Sequence, residues 1–479
     1  MKPIYVDNIL KMPVEQRGEF LLNQPESQWL ERKGIDLRPV DLPRPIIAIA
    51  NAEGGSLVLG VSNGEIKGLR AKPGAENDFR KAIHDYIKPP IRLTIDKVEA
   101  INSRGESDEI LFITIDPADI VYEDHRGKSY LRVGDDSREL GYSERQELEY
   151  NKGVRQYDGE VIKDSNLSDL DASLVTEYAE KVGYEGETPN KVLRARFLVN
   201  DRQEQTNACH LLFSEHPQDI FPQASIRITK FLSDERGTGT RLNIDADNDY
   251  RLDGNIPHLT RESTKIIERI ITKRKALGAN GEFVFQDIIP RDAWLEGVVN
   301  ALIHRSYSLS GDYIHVELYP TRIEITSPGV FPGLAKMNDL LNISRFARNP
   351  RIARVCTEFG FGQELGEGIK RIVEQMRACG YIDPIYSQNS GSVKLRLEAI
   401  MRLDDKLLRE LPGKSEEILN VIRLHPHGIG TGEIMDALEM TRPTVNTRLK
   451  KLEEVGLIRR EGKSPTDPRA VWLVHEEKR

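Results

Sequence analysis

Apolar side chains recur at helical spacing between Trp294 and Tyr307, where Leu295, Val298, Val299, Leu302 and Ile303 share one face. The pattern predicts a helix, and Glu296, Asn300 and His304 align along a neighbouring stripe. Strands follow at 313–319 and 322–326, then a turn-rich stretch from Ser327 to Gly333, a polar segment with Arg348-Asn349-Pro350, and glycines at 360, 362, 366 and 368 that open a helix running through Met376. Nearer the N-terminus an apolar helical run precedes Gly54-Gly55, a strand at 56–61 and an Asn63-Gly64 hairpin signal; further strands fall at 92–98, 109–115 and 129–134, with Ser137-Arg138 in the loop after the last. Between 156 and 255 the pattern is weaker: helical spacing over 169–182 and 191–198, then a proline-bearing turn and a strand ending near 232. Residues 256–277, with Ile266, Ile267, Ile270 and Ile271, read as one amphipathic helix rich in Lys and Arg.

Beyond Ile400 a charged linker leads to three short helices, near 415–424, 431–438 and from Thr441, and a strand pair at 458–462 and 470–474. Glu416 and Glu417 suit the first turn of the first helix, Pro443 the first turn of the third, and Gly456 its end.

Composition narrows the class. The chain has 479 residues, 38% hydrophobic and 30% charged, which is enough for three or four globular domains. A net charge of −8 excludes a global basic field, so contact with nucleic acid must use local patches. Cys209, Cys356 and Cys379 lack metal-ligand spacing and fit a reducing cytosol. The first residues lack the apolar core of a signal peptide and no run of 18 apolar residues occurs, so a cytoplasmic chain without membrane contact is expected.

The candidate chemistry centres on Glu296 and Asn300. Mg²⁺ keeps several waters and takes few protein ligands, so an Asn oxygen plus phosphate oxygens can hold it and leave the Glu to activate water. Alone, this spacing is commoner on the solvated edge of an amphipathic helix. In company with the downstream segments it resembles the divergent GHKL-type ATP-binding fold of a bacterial family of helicase-like transcriptional regulators, over roughly 255–400. The resemblance implies ATP and Mg²⁺ as cofactors. Glu296 and Asn300 match the family's N box, with Glu296 as base and Asn300 as metal ligand. His304-Arg305-Ser306-Tyr307 follows it, Ser327-Pro328-Gly329 stands at the adenine turn, Arg348-Asn349 in the lid, and Gly366-Glu367-Gly368 at the phosphate loop. Two positions depart: Ser327 replaces an Asp that would contact an exocyclic amine more strongly, and Ser306 replaces another Asp.

Residues 20–140 resemble the Schlafen-type Alba-like domain, through Glu26, Glu31 and Lys33, through Ala50-Asn51 with Gly54-Gly55 and Gly60-Val61, and through Tyr130, Arg132 and Gly134. The resemblance implies nucleic-acid binding, with Arg132 as a contact, and in some relatives a metal-dependent RNase. Glu26 and Glu31 match two of the three acids of such a metal site; Ser62-Asn63 stands where the third is expected. A pairing of Glu31 with a nearby Lys or Arg on a surface helix, or a nucleic-acid contact, is favoured over cleavage. The C-terminal pattern resembles a winged helix-turn-helix. Arg442, Asn446, Arg448 and Lys450 on its third helix are the residue types that read bases or hold phosphates; a protein-contacting winged helix is the alternative.

The expected fold is therefore α+β and multidomain: an Alba-like α/β domain at 1–155, a connector at 156–255, a GHKL-like α/β sandwich at 256–400 and a winged helix-turn-helix at 413–479. The expected function is an ATP-responsive DNA-binding protein, a transcriptional regulator with at most weak ATPase activity, binding DNA or RNA and assembling as a homodimer or larger homo-oligomer. An ATP-controlled metal-dependent nuclease, in phage defence, is the alternative, and a scaffold with a dead nucleotide pocket a third.

Overall fold

The computed structural model describes residues 4–184, 189–239, 242–277, 282–331, 347–362, 367–389, 391–402, 407, 410–423, 425, 428–438, 440–462 and 470–474. The chain forms two compact units, Met1–Val154 and Arg155–Arg479. Mixed helices and sheets in each make it an α+β multidomain protein. Among the described residues no helix is long and apolar enough to cross a membrane.

In the first unit β1 (Leu30–Lys33) runs parallel to β2 (Gly55–Leu59), which pairs antiparallel with β4 (Ser107–Ile115), itself paired with β3 (Leu93–Ile101). Both faces are covered, which explains the nearly continuous apolar runs of β2 and β4. Leu57, Leu59, Leu111 and Ile113 meet Ile46, Ile47 and Ile49 of α2 (Pro43–Asn51) and Phe79 of α3 (Ala75–Tyr86). Val58, Ile110 and Phe112 meet Leu21 of α1 (Val14–Asn23). The expected loop at Ser137-Arg138 is a strand instead: β6 (Asp136–Glu139) closes a hairpin with β5 (Tyr130–Val133).

A buried ion pair ties this hairpin to β1. Arg132 is 2% exposed; its guanidinium donates to the carbonyls of Ser27 (2.9 Å) and Leu30 (3.2 Å) and pairs with the Glu31 carboxylate. Glu31 lies on a strand and is buried, not on the surface helix that its spacing suggested, because strand alternation turns it inward.

In the second unit the central sheet has six strands, in the order β8 (Ile244–Leu252), β7 (Ile226–Phe231), β11 (Ile314–Leu318), β12 (Arg322–Pro328), β14 (Ser392–Glu398), β13 (Ile385–Asn389). Strand β7 pairs parallel to β11, so the stretch expected to be a separate connector supplies two strands to the sheet that carries β11 and β12. Val316, Ile323, Ile325, Leu395 and Leu397 point to the apolar side, under α6 (Ile256–Ile270), α7 (Arg291–His304) and α9 (Gly368–Ala378). Glu324 lies on the opposite side, where Arg322 and Lys394 bond it, each at 2.7 Å. The helix expected to continue to 277 stops at Ile270, and Lys273–Leu277 turns into β9, paired with β10 (Phe283–Asp287) as a hairpin.

Two helices of the expected connector, α4 (Ala172–Lys181) and α5 (Asn207–Phe213), pack into the same core. The connector also holds α8 (Pro350–Glu358) at both ends. Asp158, wholly buried, accepts from the N–H groups of Arg351 (2.7 Å) and Ile352 (3.3 Å), capping a helix whose own N-cap residue makes no side-chain cap bond. At the other end Tyr178 and Arg196 bond Glu358.

The C-terminal part has α10 (Ser415–Arg423), α11 (Thr431–Leu438) and α12 (Arg442–Glu454) around Ile418, Ile434, Val445, Leu449 and Trp472. Its sheet has three strands, not two, because β15 (Ile429–Gly430) joins β17 (Val471–Val474) and β16 (Ile458–Glu461).

Glu31→Ala should destabilise the first unit by about 3–5 kcal/mol, because it strands a buried guanidinium, whereas Glu31→Leu with Arg132→Met should recover most of the loss. Urea titrations followed by circular dichroism test this; a Glu31→Ala midpoint equal to wild type would remove the pair's structural role.

Candidate functional site

The polar stripe of α7 does not face solvent. Gly297 seats the helix so close to the sheet that a Cβ there would stand 2.8 Å from Ile325 Cδ1 and Leu395 Cδ2. Glu296, one residue earlier, is only 5% exposed. Burial pushes its carboxyl above the ordinary range, against the opposing pull of Arg371 and a hydrogen bond from Asn300. Helix α9 begins directly over this pair: a Cβ on Gly368 would collide with Glu296 Oε1 and lie 3.2 Å from Asn300 Nδ2. Glycine is thus what allows the start of α9 to approach an acid and an amide one turn apart.

Arg371, on the first turn of α9, was not singled out from the sequence. It donates to Asp292 at 3.0 Å and its charge acts on Glu296. The signal lay in the Lys370-Arg371 pair just past the glycines, which reads equally well as a solvated helix face.

A second cluster surrounds the C-terminal end of α7. Ser327 Oγ donates to the Ala301 carbonyl at 2.9 Å. Asn349 donates to the carbonyls of Ile303 (2.8 Å) and Arg305 (2.9 Å), closing the helix end, and Arg348 donates to the Val330 carbonyl at 2.6 Å. A Cβ on Gly329 would stand 2.6 Å from Arg348 Nη1. Of the two residues expected on an ATP lid, both buried, Asn349 therefore braces the helix end and Arg348 the segment that follows β12. His304 is held neutral: burial, with help from Arg348, pushes its imidazole down to about 4. Gly366 lies outside the described residues, as does the rest of 363–366.

The first unit arranges its acids differently from a metal site. The Lys33 ammonium pairs with Glu31 and lies 3.9 Å from Glu26 Oε1, while Glu26 also accepts from the Arg32 N–H at 3.0 Å. A side-chain cation already stands where a metal shared by Glu26 and Glu31 would bind. Arg132, expected to touch nucleic acid, is buried on Glu31 and is unavailable to it. Among the described residues no three His, Cys, Asp or Glu side chains converge on a metal position.

On α12, Arg442, Asn446 and Lys450 are exposed and, four residues apart, share one stripe; Val445, Leu449 and Leu452 face the core. Arg448 is turned aside from this stripe. Its guanidinium donates to the carbonyls of Gly413 (2.6 Å) and Thr444 (2.9 Å), so it braces the helix against the preceding segment instead of facing a groove.

Three family models match the chain: "Schlafen, AlbA_2" over residues 26–141, "Putative ATP-dependent DNA helicase recG C-terminal" over 311–397, and "MarR family" over 417–470. The middle match spans Ser327, Arg348 and Gly368, whereas Glu296 and Asn300 precede it. No curated protein matches the chain. Among solved structures, the crystal structure of the DIP2311 protein from Corynebacterium diphtheriae is similar over 95% of each chain, at 18% identity and a TM-score of 0.43. In order along the sequence, then, separate segments of the chain match a Schlafen AlbA_2 model, a recG C-terminal model and a MarR-family model, which is the three-domain order expected from the sequence.

Proposed function

We propose that this protein is a DNA-binding transcriptional regulator whose affinity for DNA responds to ATP held beside α7. The observation that carries the reading is the close approach of Gly368 to Glu296 and Asn300, which sets an amide side chain, a carboxylate of raised pKa and the opening turn of a helix around one point. These residues fit a nucleotide with Mg²⁺. Asn300 would ligate the metal, whose shell water and phosphate oxygens complete. The N–H groups at the start of α9 favour phosphate, and Arg371 adds a cation. Bound Mg-ATP would supply differential binding energy between conformations of the regulator. Ser327, whose proton is engaged by Ala301, presents lone pairs suited to the exocyclic amine of adenine. Glu296, raised towards neutrality, suits the role of base in a slow turnover.

Arg442, Asn446 and Lys450 would enter the major groove, and a homodimer would engage two half-sites at once. The Lys33 ammonium between Glu26 and Glu31 gives no support to metal-dependent cleavage, so the nuclease reading is not carried forward.

Calorimetry with ATP and Mg²⁺ should show binding to the wild type, at least a tenfold loss in Asn300→Ala (about 1.4 kcal/mol), and a similar loss in Gly368→Val, whose side chain would occupy the space beside Glu296. Glu296→Gln should bind and lose turnover. Equal affinity of wild type and Asn300→Ala would sink the site.

For DNA, Arg442→Ala should cost roughly 1–3 kcal/mol at a specific site if it reads a base, and Lys450→Ala should weaken all sequences alike and reduce the salt slope by about one unit. Arg448→Ala should instead lower the melting temperature of the C-terminal part. Gel-shift titrations of the full chain with and without ATP, beside a chain ending near Ile400, check this; undiminished, selective binding by the shortened chain would move the DNA-reading role elsewhere.

A further inference from the structure

The β9–β10 hairpin, between α6 and α7 in the chain, has two unlike faces. Its register sets Lys273 opposite Asp287, Arg274 opposite Gln286, Lys275 opposite Phe285 and Ala276 opposite Val284. Directly opposed residues share a face and successive residues alternate, so Lys273, Lys275, Phe283, Phe285 and Asp287 lie on one side and Arg274, Val284 and Gln286 on the other. On the second side the Arg274 guanidinium lies 5.2 Å from the ring centre of buried Tyr381, while Val284 is 40% exposed and Gln286 is exposed as well. The first side is open, with Phe283 66% and Phe285 74% exposed. On it the Lys275 ammonium stands 4.6 Å from the Phe283 ring centre, and Lys273 lies 3.9 Å from Asp287.

Two neighbouring phenyl rings left in water mark a surface that meets something. The interleaved charge says what. An apolar protein face would have to strip water from two ammonium groups at a cost that contact with the rings does not offset. A single-stranded nucleic acid brings phosphates to the ammonium groups and base faces to the rings, whereas a duplex hides its base faces in the stack. Phe283 and Phe285 are about 6.8 Å apart along the strand, roughly two stacking steps of ~3.4 Å, so each ring has room for its own base.

We propose that Lys273, Lys275, Phe283 and Phe285 form a platform for single-stranded nucleic acid, distinct from the duplex-reading stripe of α12 and independent of the ATP reading. Fluorescence anisotropy of the full-length protein with labelled oligothymidylate, oligouridylate and a duplex tests it, the first two arms separating DNA from RNA. Phe283→Ala with Phe285→Ala should weaken single-strand binding by roughly ten- to a hundredfold per stacked base lost and leave duplex affinity unchanged, and tryptophan at both positions should restore it. Lys275→Gln should reduce the slope of log affinity against log salt by about 0.7, and Lys273→Gln by less, because Asp287 lies 3.9 Å from that ammonium. Photocrosslinks from 5-iodouracil oligomers should map to 282–287. Undiminished single-strand binding by the Phe variant, with its circular dichroism that of the wild type, overturns the proposal. So does a Phe variant that changes only the sedimentation of the free protein, which would assign the face to a second copy of the chain.

Discussion

The second unit depends on one helix that is buried on its polar side as well as its apolar one. An isolated carboxyl in an apolar interior is costly, and the charged form pays most. Glu296 meets that cost through its raised pKa, the Asn300 amide and the nearby Arg371 charge, all contributed by α7 itself or by α9. Gly368 lets α9, and Gly297 lets α7, approach this closely without displacing the ends of the Glu296, Ile325 and Leu395 side chains. Polar groups held at such depth by close backbone packing are the usual mark of a site that handles charge, since the same helix would be more stable with an aliphatic residue in their place.

The rest of the unit can be understood as holding the two ends of that arrangement. Asn349 closes the C-terminal end of α7 and is also the residue before α8, so any movement of α8 is felt at His304 and Ser327. Helix α8 is in turn capped by Asp158 and tied by Tyr178 and Arg196 at its far end. The segment in which the sequence showed no chemistry of its own thus fixes the helix next to the candidate site.

Periodicity made α7 and the three C-terminal helices legible, because each buries a face within its own sequence span. What was not legible depends on partners far away in the chain. Glu31 could not be seen to be buried, because Arg132 lies on a hairpin about a hundred residues later. Strand β7 could not be assigned to the sheet of β11 and β12, because its partner β11 follows after another strand, two helices and a hairpin. Lys273–Leu277 continued the basic composition of α6 and carried no alternating apolar signal, so the turn to a strand at 272 was hidden; pairing with Phe283–Asp287 decided it. Arg132, Arg348 and Arg448 share one lesson. Arginine matches nucleic acid and phosphate, yet its forked donors suit backbone carbonyls equally, and in all three the carbonyls are already bound.

That distinction resolves how a chain of net charge −8 can present a locally basic stripe. Charge that counts for an approaching phosphate is charge not already matched at short range. Arg138, Arg145, Arg227 and Arg377 each lie against a carboxylate, and their fields are largely cancelled beyond a Debye length. On α12, by contrast, the exposed stripe of Arg442, Asn446 and Lys450 carries no carboxylate at its own positions, and the nearest acids of the helix, Glu453 and Glu454, fall at its far end. The helix therefore offers a locally positive N-terminal half within an acidic chain. Non-specific attraction to a phosphate backbone is weak for a chain of such net charge.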